Sequence, residues 1–99
     1  MKTDPDVYLV SYDITDAKRL RRVYKTMRGF GDHLQYSVFL CVLSPLQHER
    51  MLGRLSEIIH HGADQVLVVP LGSANAQRSW RMSTLGLPYV HPERCVRVF

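Results

Sequence analysis

The stretch Val7-Tyr8-Leu9-Val10-Ser11-Tyr12-Asp13-Ile14 decides how this chain folds. It is rich in β-branched and aromatic residues and predicts a buried strand. Side chains alternate along a strand, so Val7, Leu9, Ser11 and Asp13 share one face, and Tyr8, Val10, Tyr12 and Ile14 the other. Neither face is polar, so both need cover. The strand delivers a carboxylate, Asp13, to its own C-terminal edge, and Thr15 and Asp16 supply a helix start at once. A carboxylate in that place can serve as a metal ligand or as an acid or base.

Beyond it, Leu20, Val23, Tyr24 and Met27 recur at helical spacing and predict a helix from about Asp16 to Arg28. The rest of its circumference is basic. Lys18, Arg19, Arg21, Arg22, Lys25 and Arg28 stand against Asp16 alone, a net +5 in a chain whose total is +4. The basic character is therefore local. A solvated helix face is one reading of it. Nucleic acid is the most economical partner for such a stripe, met through Lys18, Arg19, Arg22 and Lys25. Gly29 and Gly31 bracket Phe30 and predict the helix stop, with positive φ expected at one of them.

Leu34 to Leu43 predicts a long strand, kinked at the polar Gln35 and Ser37. Ser44, Pro45 and Gln47 form a capping-box start for a second helix, which runs to about His61 and stops at Gly62. Its apolar stripe is Met51, Leu52, Leu55, Ile58 and Ile59. His60 and His61 point about 100° apart and suit a helix C-terminus better than a shared metal. Gln65 to Leu71 is another buried strand, followed by a polar connection from Gly72 to Arg78. Trp80 to Leu85 predicts a weaker strand, and Cys95 to Phe99 a terminal one whose apolar edge wants a partner.

If the kink divides Leu34 to Leu43 into two antiparallel strands, the order is βαββαβ. That is the ferredoxin-like α+β plan with both helices on one sheet face, here with an extra C-terminal strand. The 99 residues then form a single domain with its core at about residues 7–71. Two helices cover one face only. The other keeps an apolar row, which predicts a homodimer through the open sheet face. The polar N-terminus lacks the apolar core of a signal peptide, and no apolar run approaches a membrane span. A cytoplasmic protein is expected, with Cys41 and Cys95 as buried thiols rather than a disulfide.

The run from Tyr8 to Ile14 followed by a basic helix resembles the small CRISPR-associated adaptation protein, the second core protein of spacer acquisition, often described as an endoribonuclease. The likeness continues through Gly29-Phe30-Gly31, Gln35-Tyr36-Ser37-Val38-Phe39 and Asp64 to Leu71. It covers residues 7–71 in order, and the stretch from Gly72 to Pro92 departs from it. The resemblance implies a homodimer in which the C-terminal tail, about residues 80–99, pairs with the partner subunit. It also implies a magnesium-dependent phosphodiesterase acting on single-stranded RNA or on DNA, in complex with the adaptation integrase. It places the Mg2+ ligand and catalytic group at Asp13, and nucleic-acid contacts at Tyr12, Arg19, Arg22, Ser37 and Phe39. Two functional classes stand side by side: a metal-dependent endonuclease, and a non-catalytic DNA-binding scaffold of the integrase complex. A third, an RNA-binding regulatory domain, would need Tyr12 and Phe39 exposed on the open sheet face for stacking.

Overall fold

The computed structural model describes residues 4–75 and 83–86. Six elements follow in order: β1 (Asp6–Asp13), α1 (Ala17–Met27), β2 (Gly31–Gln35), β3 (Val38–Leu43), α2 (Pro45–Ile58) and β4 (Gln65–Ser73). The strands form one antiparallel sheet in the order β2-β3-β1-β4. This is the ferredoxin-like α+β arrangement, and the decisive stretch is a central strand, paired on both edges.

The kink at Gln35 to Ser37 is a hairpin turn. Tyr36 takes a left-handed backbone (φ 39°), a conformation that non-glycine residues seldom adopt. The His33 ring holds the turn by donating from Nε2 to the Tyr36 carbonyl at 2.6 Å. The Ser37 carbonyl accepts from the Tyr12 amide at 3.1 Å, which ties the turn to the far end of β1.

Register assigns the faces. Val10 stands opposite Phe39 and Val68, Tyr8 opposite Cys41, and Tyr12 opposite Val66. These residues meet Val23 and Met27 of α1 and Met51 and Leu55 of α2 in one core. Full burial of side chains such as Phe39 and Met27 contributes about 1.5–3 kcal/mol each. On the opposite face Leu9 aligns with Leu40 and Val69, Ser11 with Val38 and Leu67, and Asp13 with Gln65. No described element covers that face, and Val42 and Leu67 remain about half exposed (51% and 55%).

Both helix starts are as the sequence predicts. Asp16 caps α1 by accepting from the Arg19 amide at 2.9 Å. Ser44 and Gln47 close a reciprocal capping box on α2. The stops differ. The second helix ends at Ile58, short of His61, and Leu52 of its expected apolar stripe is exposed. His61 instead reaches back, its Nε2 donating to the Ser56 carbonyl at 2.9 Å, which satisfies an acceptor of the last turn.

Neither Gly29 nor Gly31 has positive φ; among the described glycines Gly72 and Gly86 do. Gly31 is required for space, since β2 begins there, directly against β3. A Cβ at Gly31 would lie 2.5 Å from both the Leu40 carbonyl oxygen and Cys41 Sγ. Gly31→Ala should therefore destabilise the protein by about 1–3 kcal/mol, the usual cost of overpacking. Urea unfolding of the two proteins checks this, and an unchanged midpoint would mean the two strands part easily. The expected strand at Trp80 to Leu85 has residues 80–82 outside the described residues, and 83–85 are not strand. The terminal strand Cys95 to Phe99 lies wholly outside them.

Candidate nucleic-acid interface and strand-end carboxylate

The chemistry-bearing residues converge at the C-terminal end of β1. Asp13 closes the strand on the open face, exposed, opposite Gln65 at the start of β4. Among the described residues its side chain has no hydrogen bond or ion pair. Ser11 is half-buried two positions back on the same face, and Ser37 lies in the adjoining hairpin turn.

The α1 surface follows from its amphipathic spacing. Val23 and Met27 are buried, whereas Lys18, Arg21, Arg22 and Lys25 are exposed. Among the described residues none of those four has an acidic partner. Arg28 lies over the Tyr24 ring, 6.0 Å from its centroid. The helix thus keeps a concentrated positive face, which suits phosphate contact without base reading.

Arg19 is different. Its Nε donates to Asp64 Oδ2 at 2.8 Å and its Nη2 to Asp64 Oδ1 at 3.3 Å. The same carboxylate accepts from the Thr15 amide, the Thr15 hydroxyl (each 2.9 Å) and the His60 amide (2.8 Å). The Asp64 side chain is wholly covered. Arg19 beside it, aided by the Thr15 and His60 donors, holds the Asp64 carboxyl far below the usual carboxylate range against the opposing effect of desolvation. The sequence reading gave Asp64 no role. The available signal was an acid just before a strand in a chain with a basic helix. His60 is a near neighbour, but Arg19 and Thr15 lie 45 and 49 residues away and cannot be read from spacing.

A folded-state pKa lowered in this way stabilises the protein above the ordinary carboxylate value of 3.8, and the contribution fades as pH falls below it. Asp64→Asn should therefore melt lower than the native protein at pH 7, with the gap narrowing below about pH 4. Melting curves from pH 7 to pH 2 test this; a gap that stays constant would show that the charge does not matter.

Tyr12 and Phe39 do not belong to an exposed surface. Tyr12 is 6% exposed and Phe39 0%, stacked 6.2 Å apart on the helix-covered face. Burial, with a smaller effect from Tyr24, pushes the Tyr12 hydroxyl up to about 12. These two therefore do not stack directly on bases, contrary to the expectation of exposed rings: the helices take the sheet face on which they stand, not the open one. Burial, with a lesser effect from Asp32, likewise raises the Cys41 thiol to about 12; it is a free, inert core residue.

The fold and site define a small ferredoxin-like protein with a carboxylate at the rim of its open sheet face and a basic first helix. The sequence pattern of the family described as CRISPR associated protein Cas2 matches residues 6–79. The chain is 42% identical over 80 residues to the CRISPR-associated endoribonuclease Cas2 of Geobacter sulfurreducens, covering 81% of this chain and 83% of that protein. It is 47% identical over 64 residues to a Thermodesulfovibrio yellowstonii protein of the same description, covering 65% and 70%. The crystal structure of Streptococcus pyogenes Cas2 superimposes with a TM-score of 0.69 at 36% identity, covering 81% of this chain and 99% of that one. The chain belongs to the CRISPR-associated Cas2 family. No described helix is long and apolar enough to cross a membrane.

Proposed function

We propose that this protein is a homodimeric, magnesium-dependent phosphodiesterase that acts on nucleic acid in company with the adaptation integrase of its CRISPR system. The observation that carries the reading is the exposed Asp13 carboxylate at the end of the open apolar face, without a side-chain partner among the described residues. Relatives described as CRISPR-associated endoribonucleases support the reaction class.

Pairing two copies through the open face would cover Leu9, Leu40, Val42 and Leu67 and bring both copies of Asp13 toward the two-fold axis. Magnesium takes six oxygens, keeps several waters and asks for only one or two carboxylates. Among the described residues no group of three His, Cys, Asp or Glu converges within one chain. Of the carboxylates near the end of β1 in sequence or in the sheet, Asp16 is engaged as a helix cap and Asp64 with Arg19, which leaves Asp13. One Asp13 from each subunit fits such an ion. When bound, the ion would polarise a water or a phosphate oxygen at the scissile bond. Lys18, Arg22 and Lys25 would hold the backbone beside it through phosphate contacts.

The scaffold reading is favoured by a separate observation: Lys18, Arg21, Arg22 and Lys25, exposed on α1 and without an acidic partner among the described residues, need no metal to bind DNA. Hydrolysis of single-stranded RNA and of DNA by purified protein, with and without magnesium, separates the two. The phosphodiesterase reading requires cleavage that EDTA abolishes; binding without cleavage favours the scaffold. Sedimentation at micromolar concentration should show a dimer, and a stable monomer would contradict the shared site.

A further inference from the structure

Asp64 immediately precedes Gln65, the residue paired with Asp13. Its carboxylate grips Thr15, two residues beyond Asp13, through both the amide and the hydroxyl. It also holds the His60 amide after α2 and the Arg19 guanidinium on α1, whose Nη2 donates to Thr15 Oγ1 at 3.1 Å as well. One covered carboxylate therefore joins the β1–α1 turn, the first helix and the α2–β4 turn, directly past the strand end that carries Asp13.

We propose that Asp64 is a positioning residue for Asp13, and that Arg19 serves this carboxylate rather than the phosphates of a bound nucleic acid. Three kinds of geometry support this. The acceptor oxygens of Asp64 are filled by fixed backbone and side-chain donors, so the turn after Asp13 has a set place. Arg19 directs Nε and Nη2 at Asp64, while Lys18, Arg21, Arg22 and Lys25 stay exposed on the same helix. The Thr15 bonds lie close enough to Asp13 in the chain that their loss would release the strand end without opening the core around Phe39.

The positioning of a catalytic carboxylate rests on the phosphodiesterase reading; the assignment of Arg19 does not. The test compares native protein, Arg19→Gln, Asp64→Asn and the control Arg22→Gln. Affinity for a short DNA duplex is measured against salt, since each phosphate contact contributes about 0.9 to the log–log slope. Arg22→Gln should lower the slope by about that amount, and Arg19→Gln should leave it as in the native protein. Thr15 and His60 amide exchange should quicken at least about tenfold in Asp64→Asn while the Val10 amide in β1 keeps its rate. Magnesium-dependent hydrolysis by both latch variants should show kcat lowered about tenfold or more with KM unchanged, because misplacement of a reacting group acts on the chemical step.

A slope reduced equally by Arg19→Gln and Arg22→Gln would overturn the assignment of Arg19. Quickened Thr15 exchange with unaltered kcat would overturn the positioning role, as would unchanged exchange. If the native protein binds but does not cleave, the phosphodiesterase reading and the positioning of a catalytic group fall together, while slope and exchange still decide the Arg19–Asp64 latch. Should Asp64→Asn fail to fold, Thr15→Val removes one donor from the carboxylate and carries the same kcat and KM expectation.

Discussion

Asp13→Asn is expected to lower magnesium-dependent hydrolysis by orders of magnitude while the protein stays folded and dimeric. Asparagine keeps the size of the side chain and removes its charge. Asp13 is exposed and has no bonded partner among the described residues, so no core contact depends on it. The metal it would hold supplies several kcal/mol of transition-state stabilisation, and each 1.4 kcal/mol or so is about a factor of ten in rate. Nucleic-acid affinity should stay level or rise, because a negative charge leaves the neighbourhood of the phosphates. If the proposed partnership with the integrase holds, spacer integration should be unaffected, since the basic helix and not Asp13 would carry the DNA contact. A folded dimer that loses both activities would refute this separation. One that keeps full, metal-dependent hydrolysis would remove Asp13 from the active site.

Phe39→Ala should have the largest effect on stability. The ring is fully buried opposite Val10, with Tyr24 edge-on at 5.8 Å, His33 at 5.0 Å and Tyr12 at 6.2 Å. Three elements, β1, β2 and α1, lose a shared neighbour when it goes. Removing a buried Phe costs about 3–5 kcal/mol, against a total of about 5–15 for a domain of this size. The melting temperature should fall by roughly 15 °C or more. Phe39→Leu refills most of the volume and should recover much of the loss. Thermal melts decide it. A Phe39→Ala protein of native stability but weakened nucleic-acid binding would restore the surface role that burial removes.

The fold was legible because its signals are local. Alternation in Val7 to Asp13, the i, i+3, i+4, i+7 stripe of α1, and the Ser44 capping box each rest on neighbours a few residues apart. The βαββαβ element order depended on a break at Gln35 to Ser37, and the hairpin turn there meets that condition. Distance limited the rest. Nothing in the chain around Arg19 says that its guanidinium folds onto a carboxylate 45 residues away, so it read as one more phosphate contact. Tyr12 and Phe39 show the same limit in another form. Alternation put each on a definite face of its strand, but where both faces are apolar it cannot say which of them the helices take. Gly31 read as a helix terminator, whereas close approach of β2 to β3 is what excludes a side chain there.

The proposed shared site requires that two copies of Asp13 hold one divalent ion. Titration of the metal-free protein with magnesium by calorimetry, together with sedimentation of the same sample, measures it directly. The expected result is a dimer that binds one ion per two chains, with binding lost in Asp13→Asn. One ion per chain, or unchanged binding in Asp13→Asn, would contradict it.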